Sequence, residues 1–202
     1  MIDYRVSNLN WMLEELGENR VSEILSDFSC PLNGDVEYFL HKKAILFAKN
    51  GFSQTHLVFA PHEARLVLVG YFTLANKYIA ISGKALSETT RKRICKFATY
   101  DSDSRRYCMA TPLIAQLGKN YRNSYNELIT GDELLQIACQ KVQRTQLELG
   151  GKFVYLECED KQVLKRFYQR NGFCIFDSRR LDADERHLDG ECLLQLIKYL
   201  KK

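Results

Sequence analysis

The chain has 202 residues, of which 46% are hydrophobic and 27% charged, a composition typical of a folded globular protein rather than a disordered one. A net charge of +4 is too weak to indicate nucleic-acid binding by itself. No apolar stretch approaches the roughly 18 residues of a membrane span, and no signal peptide is visible. We therefore expect no membrane partner. The seven cysteines lack metal-type spacing, which favours a cytoplasmic protein with reduced thiols and no metal.

The first fifty residues carry helical patterns. Apolar residues recur at helical spacing from Leu9 to Gly17, and a second short pattern runs from Val21 to Phe28. After a turn cluster that begins at Pro31, a third pattern extends from Val36 to Lys49. Asn50 and Gly51 follow it, as expected at a helix end.

Three strands are predicted next. Thr55–Ala60 and Arg65–Thr73 read as a hairpin joined by the polar residues 61–64, and Gly70 suggests a bulge in its second strand. Tyr78–Ile81 reads as a third, separate antiparallel strand.

Regularity is lost between Gly83 and Ala110. Ser87 can cap a short helix that continues to Phe97, and residues 100–106 read as an exposed loop. The segment is the most basic in the chain and is interpreted as an insertion. Its cations are Lys84, Arg91, Lys92, Arg93, Lys96, Arg105 and Arg106.

A strand–helix–strand unit dominates the second half. The strand Thr111–Gly118 leads through a polar loop into a helix that runs from Thr130 to about Leu149. Thr130 and Glu133 form a capping box, and two glycines end the helix. The buried strand Phe153–Cys158 follows, and the two strands should be parallel.

Shorter elements complete the chain. Asp160 can cap a short helix that ends at Asn171 and Gly172. The apolar segment Glu191–Leu200 is interpreted as a closing strand, although its spacing also fits a helix.

The second half resembles the GNAT superfamily of acyl-CoA-dependent N-acetyltransferases. Ile114–Asn120 matches the family's strand, Asn126–Gly131 its loop and helix start, Leu134 with Leu135 its paired leucines, and Lys161–Phe173 its downstream motif. The resemblance implies a single α/β domain. Its sheet would be mixed and mostly antiparallel, with one splayed parallel strand pair, flanked by helices. Residues 1–110 would form the acceptor side, 111–176 the cofactor-binding core and 177–202 a closing segment.

The resemblance also implies a site for acetyl-CoA. The pantetheine arm would pair with the strand backbone, and the diphosphate would lie at the helix N-terminus, where backbone amides and the helix dipole attract an anion. The cofactor-binding residues would be Leu117, Gly118, Lys119, Asn126, Ile129, Thr130, Gly131 and Lys161. Asn126 stands where Arg or Gln is usual, Ile129 replaces a glycine and Lys161 replaces an asparagine.

Two residues are candidates for proton transfer. Tyr168 matches the family tyrosine that can protonate the leaving thiolate, and it also fits an ordinary aromatic on an apolar helix face. Glu157 could act as a base through water, and it also fits a solvated edge carboxylate. His56 and His62 receive no role. The acceptor is expected near Tyr71, Phe72 and Thr73 and the basic segment.

The resemblance implies transfer of an acetyl group from acetyl-CoA to a primary amine by direct attack. The acceptor would be a small molecule or a protein. Two alternatives stay open: acetylation of aminoacyl-tRNA, as by toxin members of the family, and a non-catalytic GNAT-like scaffold, which the altered loop motivates. The sequence leaves monomer and homodimer open.

Overall fold

The computed structural model describes residues 3–182 and 190–201, which divide into two compact units. Within the described residues, unit 1 comprises 3–75 and 114–138, and unit 2 comprises 76–113, 139–182 and 190–201. Each unit has its own cluster of buried apolar side chains. No helix in the part of the chain that the structure describes is long and apolar enough to cross a membrane.

Eight strands and six α-helices make up the described chain, together with a π-helical turn at Phe39–Lys43 and 3₁₀ turns at Gly83–Ala85 and Arg122–Leu128. The strands are β1 Arg5–Asn8, β2 Gln54–His62, β3 Arg65–Ser82, β4 Thr99–Asp101, β5 Arg106–Lys119, β6 Phe153–Glu159, β7 Cys174–Arg180 and β8 Cys192–Tyr199. The helices are α1 Leu9–Ser26, α2 Gly34–Tyr38, α3 Ala44–Lys49, α4 Glu88–Ile94, α5 Gly131–Leu149 and α6 Gln162–Arg170.

The strands are ordered β1-β2-β3-β5-β6-β8-β7, with β4 paired to β5. The β5–β6 pair is parallel in a sheet that is otherwise mostly antiparallel. The predicted mixed, mostly antiparallel α/β architecture with one parallel pair is therefore confirmed. The described residues form two compact units, but β3 and β5 each contribute residues to both of them. The prediction of a single domain therefore stays a prediction.

The N-terminal helical patterns of unit 1 form one element with a break. α1 covers both predicted segments, and Gly17 lies between them with non-helical angles (φ 76°, ψ 161°) that glycine adopts without strain. The third pattern becomes α2, the π-helical turn and α3 in direct succession. These helices bury Leu9, Val21, Phe28, Val36 and Leu40 together with residues of β2 and β3.

The β2–β3 hairpin is confirmed, with a tighter turn than predicted. Pairing continues to His62 and Arg65, and Glu63 and Ala64 both have positive φ (46° and 60°). The register shifts between Val58, which pairs with Gly70, and Phe59, which pairs with Leu68. A bulge is therefore present in the second strand, as predicted, but the residue left over on β3 is Val69, next to Gly70.

Two predictions around β3 and β5 are wrong. Tyr78–Ile81 is not a separate strand but the end of β3, because residues 74–77 contain no glycine or proline that would turn the chain. Residues 100–106 are not a loop but the β4–β5 hairpin, so β5 begins at Arg106. Asp101 closes the turn by accepting from the amide of Asp103 and the hydroxyl of Ser104.

In unit 2, the closing segment is a strand, as predicted. β8 lies between β6 and β7 and pairs antiparallel with both, which excludes the helical alternative. β7 was not predicted. The strands β6, β7 and β8 together bury Phe153, Tyr155, Phe176 and Ile197 in the core of this unit.

The predicted cap of α6 is wrong. Lys161 occupies the cap position, with no side-chain capping hydrogen bond, and the carboxylate of Asp160 pairs with Lys165 instead. The long basic side chain one turn ahead competes successfully for the carboxylate. An Asp just before a helix therefore predicts a cap less reliably when a cationic side chain lies within reach of its carboxylate.

Candidate functional site

The end of β5 in unit 1 is packed too tightly for any side chain at Gly118. A methyl group there would overlap Val36 Cγ1 of α2 and lie 3.4 Å from Phe28 Cζ. On the neighbouring strand, a methyl group at Gly70 would lie 2.8 Å from the carbonyl oxygen of Gly118. Gly118 therefore lets α2 pack against the end of β5, and Gly70 lets β3 lie close to the backbone of β5. Leu117 and Lys119, on either side of Gly118, are half-buried.

Asn120 holds the chain immediately after β5, a role that the sequence did not reveal. Its buried side chain donates to the carbonyl oxygens of Asp27 (2.9 Å) and Leu68 (2.8 Å). Its carbonyl oxygen accepts from the amides of Ser29 (2.9 Å) and Arg122 (3.0 Å). The amide group is fully used, which fixes where the following loop begins.

The loop between β5 and α5 is a 3₁₀ turn that contains two left-handed residues, Asn123 (φ 50°) and Ser124 (φ 57°). Lys119 Nζ donates to the carbonyl oxygen of Asn126 (3.0 Å), which joins two of the predicted cofactor residues. Ile129 is 1% exposed, so its side chain belongs to the core and only its backbone is available to a ligand.

The predicted capping box at the start of α5 is present. The amide and hydroxyl of Thr130 donate to Glu133 Oε2 (2.8 and 2.7 Å), and the amide of Glu133 donates to Thr130 Oγ1 (3.1 Å). These hydrogen bonds hold the pKa of Glu133 below its ordinary value. Burial and the charge of Glu133 together raise the pKa of Tyr4 to about 12.

The capping box decides which amides of the first turn an anion could use. The amides of Thr130 and Glu133 are taken by it, while the amide of Gly131 lies outside it. The charge of Glu133 is compensated by two hydrogen bonds that Thr130 donates to Oε2. The features of this turn that could hold an anion are therefore the Gly131 amide and the dipole of the long helix behind it.

Two predicted residues of unit 2 lie on α6 or at its start. Lys161 forms a salt bridge with Glu159 at 3.0 Å and keeps its side chain partly exposed. Tyr168 is buried and packs edge-on against Phe167 (4.9 Å between ring centroids) and Phe173 (5.8 Å). Burial, with a smaller contribution from Cys158, raises the pKa of Tyr168 above its ordinary range.

Glu157 on β6 is the centre of a polar cluster in unit 2. Arg179 Nε and Nη2 donate to its two carboxylate oxygens (2.9 and 2.6 Å), and the hydroxyl of Tyr155 donates to Oε1. Gln195 Nε2 donates to the oxygen of Tyr155 at 2.7 Å. Burial alone would raise the pKa of Glu157, but the hydrogen bonds and the charge of Arg179 outweigh it and lower the pKa.

The side chains expected near the acceptor do not form an open surface, which corrects that prediction. Tyr71, Phe72 and Thr73 are all 0% exposed. The Tyr71 hydroxyl donates to the carbonyl oxygen of Val36 (2.6 Å), and Phe72 stacks on His56 (5.0 Å between centroids). Successive side chains of a strand point to opposite faces of the sheet, but here both faces are covered, so all three side chains are buried.

The basic segment of unit 2 presents aromatic rings beside its cations. Tyr100 and Tyr107 pair across β4 and β5 with ring centroids 5.1 Å apart, and Tyr100 is 53% exposed. Some cations are already engaged: Lys92 pairs with Glu88 at 2.6 Å, and the guanidinium of Arg93 lies 4.9 Å from the ring centroid of Tyr199.

The described residues contain neither a cluster that could bind a metal ion nor a disulfide bond. No group of three or more His, Cys, Asp or Glu side chains among residues 3–182 and 190–201 could hold a metal ion. All seven cysteines are free thiols.

No family model matches the chain, and no curated protein matches it either. Solved structures do. AtaT complexed with acetyl-methionyl-tRNAfMet superposes with a TM-score of 0.61 at 16% identity, covering 95% of this chain and 94% of AtaT. A tyrosine-to-phenylalanine mutant of KacT gives 0.61 at 16% identity, covering 95% and 93%. AtaTR bound with acetyl-CoA gives 0.53 at 14%, covering 96% and 92%.

The chain has the GNAT fold. The likeness extends over nearly the whole of each chain, whereas the sequence motifs covered only the second half of this one. The strand, loop and helix that the motifs predicted to hold a cofactor are therefore β5, the 3₁₀ turn and α5 of a GNAT fold.

Proposed function

We propose that this protein is an N-acetyltransferase that transfers an acetyl group from acetyl-CoA to a primary amine by direct attack. The observation that carries the proposal is a GNAT fold over 95% of the chain, in which α5 begins with a capped turn at Gly131, directly after β5 and its loop. AtaT and AtaTR, which share the fold, have been solved with acetyl-CoA.

In this proposal, unit 1 supplies most of the cofactor-binding residues. The backbone of β5 at Leu117, Gly118 and Lys119 pairs with the pantetheine arm, which needs no particular side chains. The diphosphate takes the amides at the loop and helix start, at the residues Asn126, Ile129, Thr130 and Gly131. In unit 2, Lys161 adds a partly exposed positive charge. When bound, acetyl-CoA supplies an activated thioester.

Two residues of the chain then donate and accept the protons of the reaction. Tyr168 holds its proton at Oη at neutral pH because burial raises its pKa, so it can act as a general acid toward a leaving thiolate. Glu157 is ionised but accepts two hydrogen bonds from Arg179, which makes it a weak base. We assign it a role through water, as an acceptor for the proton that the amine loses.

A small-molecule or protein amine is the first candidate acceptor. Aminoacyl-tRNA is the second, and the exposed Tyr100 beside the cations of the basic segment favours it, since bases stack on aromatic rings and phosphates bind cations. AtaT, with which the chain shares its fold, has been solved with an acetylated aminoacyl-tRNA. RNA binding that weakens steeply with salt supports this candidate, and no binding at low salt rejects it.

Thermal unfolding with acetyl-CoA tests the proposal and distinguishes it from a non-catalytic scaffold. At a hundredfold excess over Kd, a bound ligand stabilises the folded state by about 2.7 kcal/mol. We expect this shift in the wild type and its loss in Gly131→Glu, which adds a carboxylate to the first turn of α5. Glutamate favours helix N-termini, so this variant should fold.

The matched control is Gly34→Glu, which makes the same change at the first residue of α2. A methyl group at Gly34 meets no atom within 4 Å, so the change is tolerated. The control should keep the full shift. A wild-type protein that acetyl-CoA does not stabilise would contradict the proposal.

A further inference from the structure

Unit 2 contains an open pocket of about 370 Å³ beside the last two turns of α5. We infer that this pocket binds a small organic anion that carries an apolar group. Its volume lies at the lower end of the range of roughly 300–1,000 Å³ for small-molecule sites. None of its lining residues has a role in the proposed acetyl transfer. The residues that carry the argument are Gln143, Arg144, Gln146, Leu147, Lys152 and Leu200.

Two glutamines fix the walls of the pocket. Gln146 is 8% exposed and its Nε2 donates to the carbonyl oxygen of Phe153 at 2.7 Å, which ties α5 to the start of β6. Gln143 Nε2 donates to the carbonyl oxygen of Lys201 at 2.5 Å, which ties the same helix to the chain after β8. The pocket is therefore held open by contacts between three elements and needs little rearrangement to admit a ligand.

Two cations face no carboxylate in this pocket. Arg144 and Lys152 form no ion pair within the described residues, and no Asp or Glu is among the lining residues. Glycines at positions 150 and 151 separate Lys152 from the end of α5. A carboxylate or phosphate can take a bidentate hydrogen bond from a guanidinium and a further one from an ammonium group, which makes an anion the matching ligand.

An apolar surface lies next to these charges. Leu147 is 71% exposed, and the buried Leu200 contributes to the lining from the end of β8. Covering Leu147 with a hydrocarbon group removes apolar area from water and adds affinity that an inorganic anion cannot gain. An amphipathic anion should therefore bind more tightly than phosphate alone.

Isothermal titration of the whole chain with phenyl phosphate and with inorganic phosphate tests this inference. Phenyl phosphate should bind more tightly than inorganic phosphate. Arg144→Gln and Lys152→Gln should each weaken phenyl phosphate binding about tenfold or more, since each removes a charge-assisted hydrogen bond. Lys42→Gln, which removes an equal charge from an exposed position in unit 1, is the control and should bind as the wild type does.

Three results would overturn the inference: equal affinity of wild type and Arg144→Gln, inorganic phosphate binding as tightly as phenyl phosphate, or displacement of phenyl phosphate by saturating CoA. The last result would place the probe in the cofactor site. Arg144→Gln should retain the melting shift with acetyl-CoA, so this site and the proposed transferase activity succeed or fail separately. Arg144 is exposed, so the variant is expected to fold.

Discussion

Tyr168 illustrates how a single buried hydroxyl can be suited to proton donation. The sequence predicted that it lies on the short helix α6, but could not distinguish a proton donor from an ordinary aromatic residue on an apolar helix face. The structure adds that the ring is buried against Phe167 and Phe173, which raises its pKa and keeps the proton on Oη across the physiological range.

Replacing Tyr168 by phenylalanine removes the proton and keeps the ring. If Tyr168 is the general acid, kcat should fall about a hundredfold or more, while KM for acetyl-CoA stays close to the wild-type value. Release of free thiol, followed with saturating acceptor, measures both constants. Tyr78→Phe is the control, because Tyr78 is 70% exposed. A wild-type kcat in Tyr168→Phe would remove this residue from the mechanism.

Glu157 shows the limit of residue-level prediction. Its position on a strand beside a core was visible in the sequence. Its two-point contact with Arg179 was not, because β7, which carries the arginine, was not predicted and pairs with β8 rather than with β6. A carboxylate that pairs with a guanidinium has a lower pKa than a solvated one, and only the strand order reveals that Glu157 is paired.

At the scale of elements, the close packing of α2 on the end of β5 yields a stability prediction. Gly118→Ala should destabilise the protein by roughly 1–3 kcal/mol, because the added methyl group overlaps Val36. In urea unfolding, adding Val36→Ala to this variant should cost less than Val36→Ala costs in the wild type, since the smaller side chain relieves the overlap.

The control for this prediction is Gly34→Ala, in which the new methyl group meets no atom within 4 Å. That variant should match the wild type or exceed it slightly, because alanine is the better helix former. Equal stabilities of Gly118→Ala and Gly34→Ala would show that the packing of α2 on β5 is looser than the structure indicates.

Across the whole molecule, stability should depend on pH through the Glu157–Arg179 pair. The folded pKa of Glu157 is lowered from its ordinary value of 4.5, so its contribution to the free energy of unfolding is complete above that pH. The contribution is lost as the pH falls through the lower folded pKa. Glu157→Gln should therefore be markedly less stable than the wild type at neutral pH and more nearly equal to it at about pH 3.

Chemical unfolding at the two pH values measures the difference. Glu14→Gln, which changes an exposed carboxylate on α1, serves as the control and should differ little from the wild type at either pH. A gap between Glu157→Gln and the wild type that stays constant with pH would mean that the ion pair does not set the acid stability.

Local features of this protein were determined by the sequence alone. The break at Gly17, the bulge next to Gly70 and the Thr130–Glu133 capping box each depend on residues a few positions apart, or on the backbone freedom of one glycine. The prediction of a separate strand at Tyr78–Ile81 was wrong. The absence of a breaker at residues 74–77 allows β3 to continue, but only pairing with other strands decides that it does.

Tertiary structure alone decided the rest. Asn120 holds the loop after β5 through partners on distant segments, Gly118 is required by Val36 of a helix far earlier in the chain, and Arg179 reaches Glu157 only because β7 and β6 share β8 as a neighbour. Hydrogen bonds and packing between distant segments depend on which strands become neighbours, and that order is set by the burial of the whole core rather than by any local pattern.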